Sequence, residues 1–365
     1  MDIRKSVPLA SYTTFKVGGP ARYFCDIHSS LELEEAFAFA RERHLVVFIL
    51  GAGSNILISD EGFDGLVVHF ADVTPDLLPN IESENDEKIV VGVSAGMNWD
   101  NFVQYAIGKN LYGVEHLSGI PGTVGGAVVA NIGAYGAQVS DALVMAEVFD
   151  RKHEAFTKKF LTNEECAFAY HDSVFCKEPG RYVVTHATFA LWKHATFAPQ
   201  YRDNRFRVGG EGGDDSAETL LDVREKILSI REQKGALAMS GRTGFCSAGS
   251  FFHMPFVSKE EYLRVFARAQ ELDHKKEERL RPWAWLQPDG RYKLAPGFLL
   301  EYTQFEKGYR RGKVGISPRH TLTIVNLGNA TAREVARLAG DMEHSVTKLF
   351  GVLLEREVEY VGNVS

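Results

Sequence analysis

Six glycines fall within the eighteen residues from Gly119 to Gly136, several times the average glycine usage of about 7%. A segment so poor in side chains packs weakly, yet Ile120, Val124, Ala127, Val128, Val129 and Ile132 within it prefer burial. A solvent loop would not carry them. The economical reading is main chain held inside protein and close to a large flat or phosphorylated ligand. Glycine permits positive φ and lets N–H groups approach an anion without side-chain obstruction.

A second glycine turn follows the apolar run Val46 to Leu50: Gly51-Ala52-Gly53-Ser54-Asn55, and then the strand-like Ile56 to Ser59. A Rossmann fingerprint needs a third glycine three residues on and a helix start, but position 56 is Ile and the chain looks extended. Two readings stay open at the local level, a phosphate nest of turn amides and an ordinary tight hairpin.

With 365 residues, the chain exceeds the roughly 250–300 at which a single core stops growing, so several units are expected. The 41 basic and 48 acidic residues are interspersed, which leaves no broad footprint for nucleic acid or an anionic membrane. Neither an apolar leader nor a run long enough to span a bilayer is visible, and a cytoplasmic monomer is expected. Cys25, Cys166, Cys176 and Cys246 lack metal-like spacing, so reduced thiols and no metal are expected.

The elements point to an α+β chain. Helices are predicted from Ser29 to Ala40, Asn98 to Lys109 and Ala217 to Arg231, after the Ser258 cap, and from Thr331 to the stop at Gly351. Strands are predicted over Ile89 to Val93 and Val352 to Val361, and a polar insert over Asp203 to Ser216.

Six motifs then occur in order: Thr13-Thr14-Phe15-Lys16-Val17-Gly18-Gly19-Pro20-Ala21, Gly51 to Asn55, Ile120 to Ala127, Asn131-Ile132-Gly133-Ala134-Tyr135-Gly136, Ala248-Gly249-Ser250-Phe251-Phe252 and Leu354-Glu355-Arg356-Glu357-Val358. Together, from about Ser11 to Val361, they resemble the UDP-N-acetylenolpyruvoylglucosamine reductases (MurB). The resemblance implies an FAD-binding fold of the vanillyl-alcohol-oxidase type plus a C-terminal α+β substrate domain. Its units would be 1–69 with a return strand at 356–365, then 70–234, then 235–355. It implies non-covalent FAD, NADPH as co-substrate and UDP-N-acetylglucosamine enolpyruvate as the group reduced.

By resemblance, Gly51, Ala52, Gly53, Ser54, Asn55, Pro121, Gly122, Thr123, Gly125, Gly126, Asn131, Gly133, Ala134 and Tyr135 are the cofactor-binding set. Reducing an enol ether needs a hydride at one carbon and a proton at its neighbour. Ser250 matches the family's proton donor and Glu355 its glutamate, whereas Glu357 and Glu359 share an alternating face with Glu355. Tyr170, Tyr201, Lys234 and His320 are the substrate-side candidates, Tyr201 marking the longer subtype with a tyrosine loop.

Two departures stand out. Where the family has Tyr-Arg-x-Ser, this chain reads Tyr170-His171-Asp172-Ser173, so His171 enters the catalytic set with imidazolium expected to replace part of the lost charge. After Lys234, Gly235-Ala236-Leu237-Ala238 replaces the usual Leu-Pro-Asp-Pro. The competing readings are an oxidase of the same fold, lacking the Ser250, Glu355 and Tyr201 set, and a nucleotide-sugar-binding regulator without turnover.

Overall fold

The computed structural model describes residues 1–71, 79–152, 157–195, 219–237 and 244–364; Tyr201 and the Asp203 to Ser216 insert lie outside them. The N-terminal stretch supplies β1 (Arg4–Pro8), β2 (Pro20–Ile27), α1 (Ser30–Glu42), β3 (Val47–Leu50), β4 (Ile56–Ile58) and β5 (Phe63–Phe70). Four of these strands form a sheet in the order β1-β2-β5-β3. Strand β5 runs parallel to both β2 and β3, so the carboxyl ends of all three share one edge. Helix α1 starts at Ser29, whose hydroxyl accepts from the Glu32 amide, and it buries Leu33, Ala36, Phe37 and Ala40 on the sheet.

The next stretch supplies β6 (Asn80–Glu84), β7 (Lys88–Ser94), α2 (Trp99–Gly108), α3 (Val124–Val129), β8 (Gly133–Ala134), β9 (Ala137–Gln138), β10 (Leu143–Asp150), β11 (Thr157–Thr162), α4 (Val174–Lys177), β12 (Tyr182–Trp192) and α5 (Leu220–Gln233). Its main sheet is antiparallel in the order β11-β10-β12-β7-β6, with Trp99, Phe102 and Phe189 at the centre of its core. Helices α2 and α5 are locked together by Asp100 and Arg224 through two hydrogen bonds of 2.7 Å, and Asp100 also accepts from the Gly119 amide at 2.6 Å. Burial alone would raise the Asp100 pKa, but the Arg224 and Gly119 donors outweigh it and hold the carboxyl below its ordinary range. That ion pair fixes where the glycine-dense segment begins.

The last stretch supplies β13 (Phe256–Val257), α6 (Lys259–Arg279), β14 (Ala284–Leu286), β15 (Tyr292–Leu294), α7 (Pro296–Leu300), β16 (Arg310–Arg311), β17 (Val314–Ile316), β18 (Ile324–Asn326) and α8 (Ala332–Phe350). Helix α8 is capped by Thr331 and Glu334 and ends at Gly351, which sits at φ 68. Its stripe of Val335, Leu338, Ala339, Met342 and Val346 is buried, and each large apolar side chain so buried contributes about 1.5–3 kcal/mol. Phe15, Val17 and Leu57 from the N-terminal stretch join the same core. The Thr13 to Ala21 motif is thus a clasp: the Thr14 hydroxyl donates to the Ser247 carbonyl at 2.7 Å, and Asn326 donates to the Phe15 carbonyl at 3.1 Å.

The end of the chain differs from the single strand expected over Val352 to Val361. Only β19 (Glu359–Val361) is strand, and it pairs parallel with β4. Before it, Arg356 bridges Phe252, with His253 donating to the Glu355 carbonyl and Glu357 donating to the Phe251 carbonyl, both at 2.9 Å. The segment serves two partners in succession, first the Phe251 to His253 stretch and then β4, so one continuous ladder is not formed.

Candidate active site

The two glycine turns meet. A Cβ added to Gly51 would lie 2.9 Å from Thr123 Oγ1, and one on Gly53, at φ +60, would lie 2.2 Å from the Tyr12 carbonyl oxygen. Gly122 is the opposite case, since a Cβ there would meet only Ser54 Oγ at 3.9 Å. The hairpin reading is excluded because β3 pairs with β5 and β4 with β19, never with each other. Among the described residues, the main-chain amides of Ala52, Gly53, Ser54, Gly122 and Thr123 donate to nothing. Five unused donors in two facing turns make a cradle for phosphate oxygens, so these residues fit the diphosphate of a dinucleotide cofactor.

Other members of the expected cofactor set have structural duties. Gly125 gives its amide to Ala95 O at 2.9 Å and lets α3 close on Ala95, where a Cβ would come within 2.8 Å. The Gly126 amide goes to Thr123 Oγ1, the cap of α3. Pro121 precedes Gly122 in the turn, while Gly133 and Ala134 form β8, beside β9. Asn55 donates to the Glu357 carbonyl at 3.0 Å, tying the nest to the chain end. Asn131 is 1% exposed and spends its side chain on Ala169 O, Gln138 Oε1 and the Ser140 amide, so the side chain braces these segments. Tyr135 turns toward α5, packing with Val223 and Ile227 beside Arg231 and Lys234.

That Asn131 brace holds a tight turn, Ala169 to Asp172, whose ends exchange backbone hydrogen bonds. Tyr170 and His171 form its tip, His171 at φ 48 in the left-handed region, a conformation that costs a non-glycine residue of order 1–3 kcal/mol. Ser173 secures the far side by donating to Val129 O at 2.6 Å. The tip meets the chain end: His171 Nδ1 is 3.7 Å from Glu357 Oε1, and His253 Nδ1 is 3.7 Å from Glu357 Oε2. Lys293, from β15, holds its ammonium 3.3 Å from the Tyr170 ring centroid.

Burial pushes the Glu357 carboxyl up to about 7 against the pull of Lys293. Burial, with His253 and Lys293 nearby, pulls His171 down to about 4. Imidazolium therefore does not replace the missing arginine: His171 is neutral at working pH because the same burial that positions it penalises its charge. The expected carboxylate moves as well. Glu355 is exposed and acts on the cluster only through its field on His253, whereas Glu357 enters the cluster itself.

Ser250 is half-buried, preceded by Gly249 at φ +75 and followed by the fully buried Phe251 and Phe252. Phe251 receives the Glu357 amide and gives its own amide to Leu322 O, which fixes the backbone beside Ser250. Its hydroxyl has no hydrogen-bond partner among the described residues. Lys234, at the end of α5, and His320 are brought together where Arg319 donates to Glu232 O at 2.7 Å. Burial, with Lys234 and Lys307 close by, pulls His320 down to about 4, and its Nδ1 has no partner in the described protein. Lys293 and His253 gave no sequence signal, because a lone lysine in a short strand and a histidine after two phenylalanines have no distinguishing pattern.

Residues 21–156 match the model of an FAD binding domain, and residues 242–361 that of the UDP-N-acetylenolpyruvoylglucosamine reductase C-terminal domain. The chain is 38% identical over 98% of both chains to the UDP-N-acetylenolpyruvoylglucosamine reductase of Thermobifida fusca. It is 36% identical, again over 98% of both, to that of Chromobacterium violaceum. Among solved structures, the reductase (MurB) from Thermus caldophilus aligns with 99% of this chain and all of its own at TM-score 0.64 and 26% identity.

Proposed function

The chain belongs to the UDP-N-acetylenolpyruvoylglucosamine reductase family, and from that premise we propose that it uses FAD to reduce the enolpyruvyl ether of UDP-N-acetylglucosamine to UDP-N-acetylmuramate, with NADPH as reductant, for peptidoglycan synthesis. The observation that carries the reading is the convergence of Ser250, Glu357 and the Tyr170–His171 turn through the return of the chain end. Residues 1–69 with the return strand 356–365 and residues 70–234 form the FAD-binding units and 235–355 the substrate unit; each supplies most of one core, with Phe15, Val17 and Leu57 reaching into the third and Phe149 and Val183 into the first. The reading takes a cytoplasmic monomer as the working form, by resemblance to the family. Independently of that, no helix among the described residues is long and apolar enough to cross a membrane.

The Gly51–Asn55 and Gly122–Thr123 turns would hold the FAD diphosphate on their free amides. When bound, FAD supplies the hydride. Ser250 gives the proton to the neighbouring carbon of the enol ether, and its alkoxide is the group that must then be neutralised. Glu357 is suited to that duty, since a carboxyl titrating at about 7 is half protonated near neutrality. Lys234 and His320 serve the nucleotide end of the substrate, and Tyr170 its sugar end. Tyr201, outside the described residues, keeps its substrate role as an expectation.

Anaerobic mixing tests the whole. NADPH should bleach the yellow protein, and UDP-N-acetylglucosamine enolpyruvate should restore the colour. Recovery only on admitting oxygen would point to an oxidase, and bound FAD that never bleaches would point to a regulator.

A further inference from the structure

An enolpyruvyl ether carries a carboxylate conjugated to the double bond being reduced. Hydride added at the methylene carbon drives the π electrons toward that carboxylate, and the intermediate collapses when the adjacent carbon takes a proton. Charge therefore accumulates on the carboxylate, and a fixed cation beside it lowers the barrier. The turn residue nearest the cluster, His171, is neutral at working pH.

The position of Lys293 answers that need. Its strand, β15, lies between β13 and β14, with Lys293 opposite both Phe256 and Trp285, so its backbone is held on both sides. Its ammonium sits over the Tyr170 ring at 3.3 Å and 5.5 Å from the Phe256 ring centroid. Two aromatic faces hold the ammonium without an ion pair, and burial pulls it down to about 8 against the raising field of Glu357, so it keeps most of its charge near neutrality. Among the described residues Lys293 has no ion-pair partner, although its field reaches both Glu357 and His171.

We propose that Lys293 is the carboxylate-recognising cation of this centre, delivered from the small β13-β15-β14 sheet and aimed by Tyr170 at the enolpyruvyl group. The assignment rests on the reductase reading above. It gives Tyr170 a further task beside the sugar end, which is to orient that ammonium.

The product and its unalkylated parent make the test, because UDP-N-acetylmuramate carries the lactyl carboxylate and UDP-N-acetylglucosamine lacks it. Calorimetry on the FAD-loaded protein should show that Lys293→Met weakens UDP-N-acetylmuramate roughly ten- to a hundredfold, the range for a lost charge-assisted hydrogen bond. The parent nucleotide should bind the variant as it binds the native protein, and Lys293→Arg should restore most of the preference. Equal weakening of both ligands, or an unchanged preference in Lys293→Met, overturns the proposal. Native protein that turns over the enolpyruvyl substrate while Lys293→Met keeps its preference would sink the lysine assignment alone. Native protein without turnover would sink the reductase reading, and the lysine assignment with it.

Discussion

The nucleotide cradle and the reaction centre are built by opposite means. The cradle is main chain: two glycine turns facing each other, with amides of Ala52, Gly53, Ser54, Gly122 and Thr123 left unused and side chains kept out. The centre is side chain: Tyr170 and His171 from one turn, Ser250 and His253 from another, Lys293 from a third strand and Glu357 from the chain end. A cradle of amides depends on backbone conformation and tolerates little change at its glycines. A centre of side chains depends on docking among distant segments, and it is tuned by burial more than by identity. The difference separates binding from chemistry, and substitutions should separate them too.

The largest effect expected is at the centre. Glu357→Gln keeps the volume but removes the proton, and loss of a positioned acid lowers turnover by roughly 10²–10⁴-fold. FAD content should stay unchanged, because only the main chain of Glu357 touches the cradle, through Asn55. Glu355→Gln should leave rapid-mixing rates of substrate reduction nearly native, since that side chain faces solvent. A severe Glu355→Gln defect beside a mild Glu357→Gln one would restore the assignment made from sequence.

Next comes the cradle's support. Asp100→Ala leaves Arg224 buried with no counter-charge, a change that costs about 3–5 kcal/mol when one partner of a buried pair is removed. It also frees the Gly119 amide and loosens the start of the glycine-dense segment. Urea titration should show the stability loss, and fluorescence titration a weaker hold on FAD. Protein that is nevertheless saturated with FAD should turn over at a near-native rate. A slow saturated variant would mean that cradle and centre are not separable.

This division also explains what the sequence discloses. The cradle is legible because glycine has few reasons to recur amid buried apolar residues, and the caps at Ser29, Thr331 and Gly351 are legible because helix ends demand them. Side-chain duties are not legible at that level. Asn131 and Tyr135 sit in a motif that looks ligand-binding, yet one braces a turn and the other packs on α5. Strand periodicity made Glu355 and Glu357 equivalent, but the chain end changes partners between them, and only one is buried with the histidines. Lys293 acquires meaning from the Tyr170 ring, which is distant in sequence and adjacent in space.

The smallest effect, and the sharpest test of how burial tunes the centre, is in the pH profile. Glu357 is held up to about 7, and its protonated form is the acid, so substrate reduction should be fullest below that pH and decline as pH rises through it. His171 titrates near 4, far below the decline, so the histidine does not cause it, whereas Lys293, pulled down by burial to about 8, adds a second loss at higher pH that Lys293→Arg should remove. His171→Arg adds a cation that stays charged throughout, beside a carboxylate oxygen now 3.7 Å from the imidazole. An opposite charge favours the ionised carboxyl, so the decline should move to lower pH, by about one unit for a charge in that range. Turnover at pH 8 should then fall relative to the native protein, while binding of the uncharged sugar portion is unaffected. A rate that rose instead of falling as pH passed through about 7, with the rise moved to lower pH by the arginine, would mean the ionised form of Glu357 is the working one, and that the carboxyl acts as a base toward Ser250 and not as its acid.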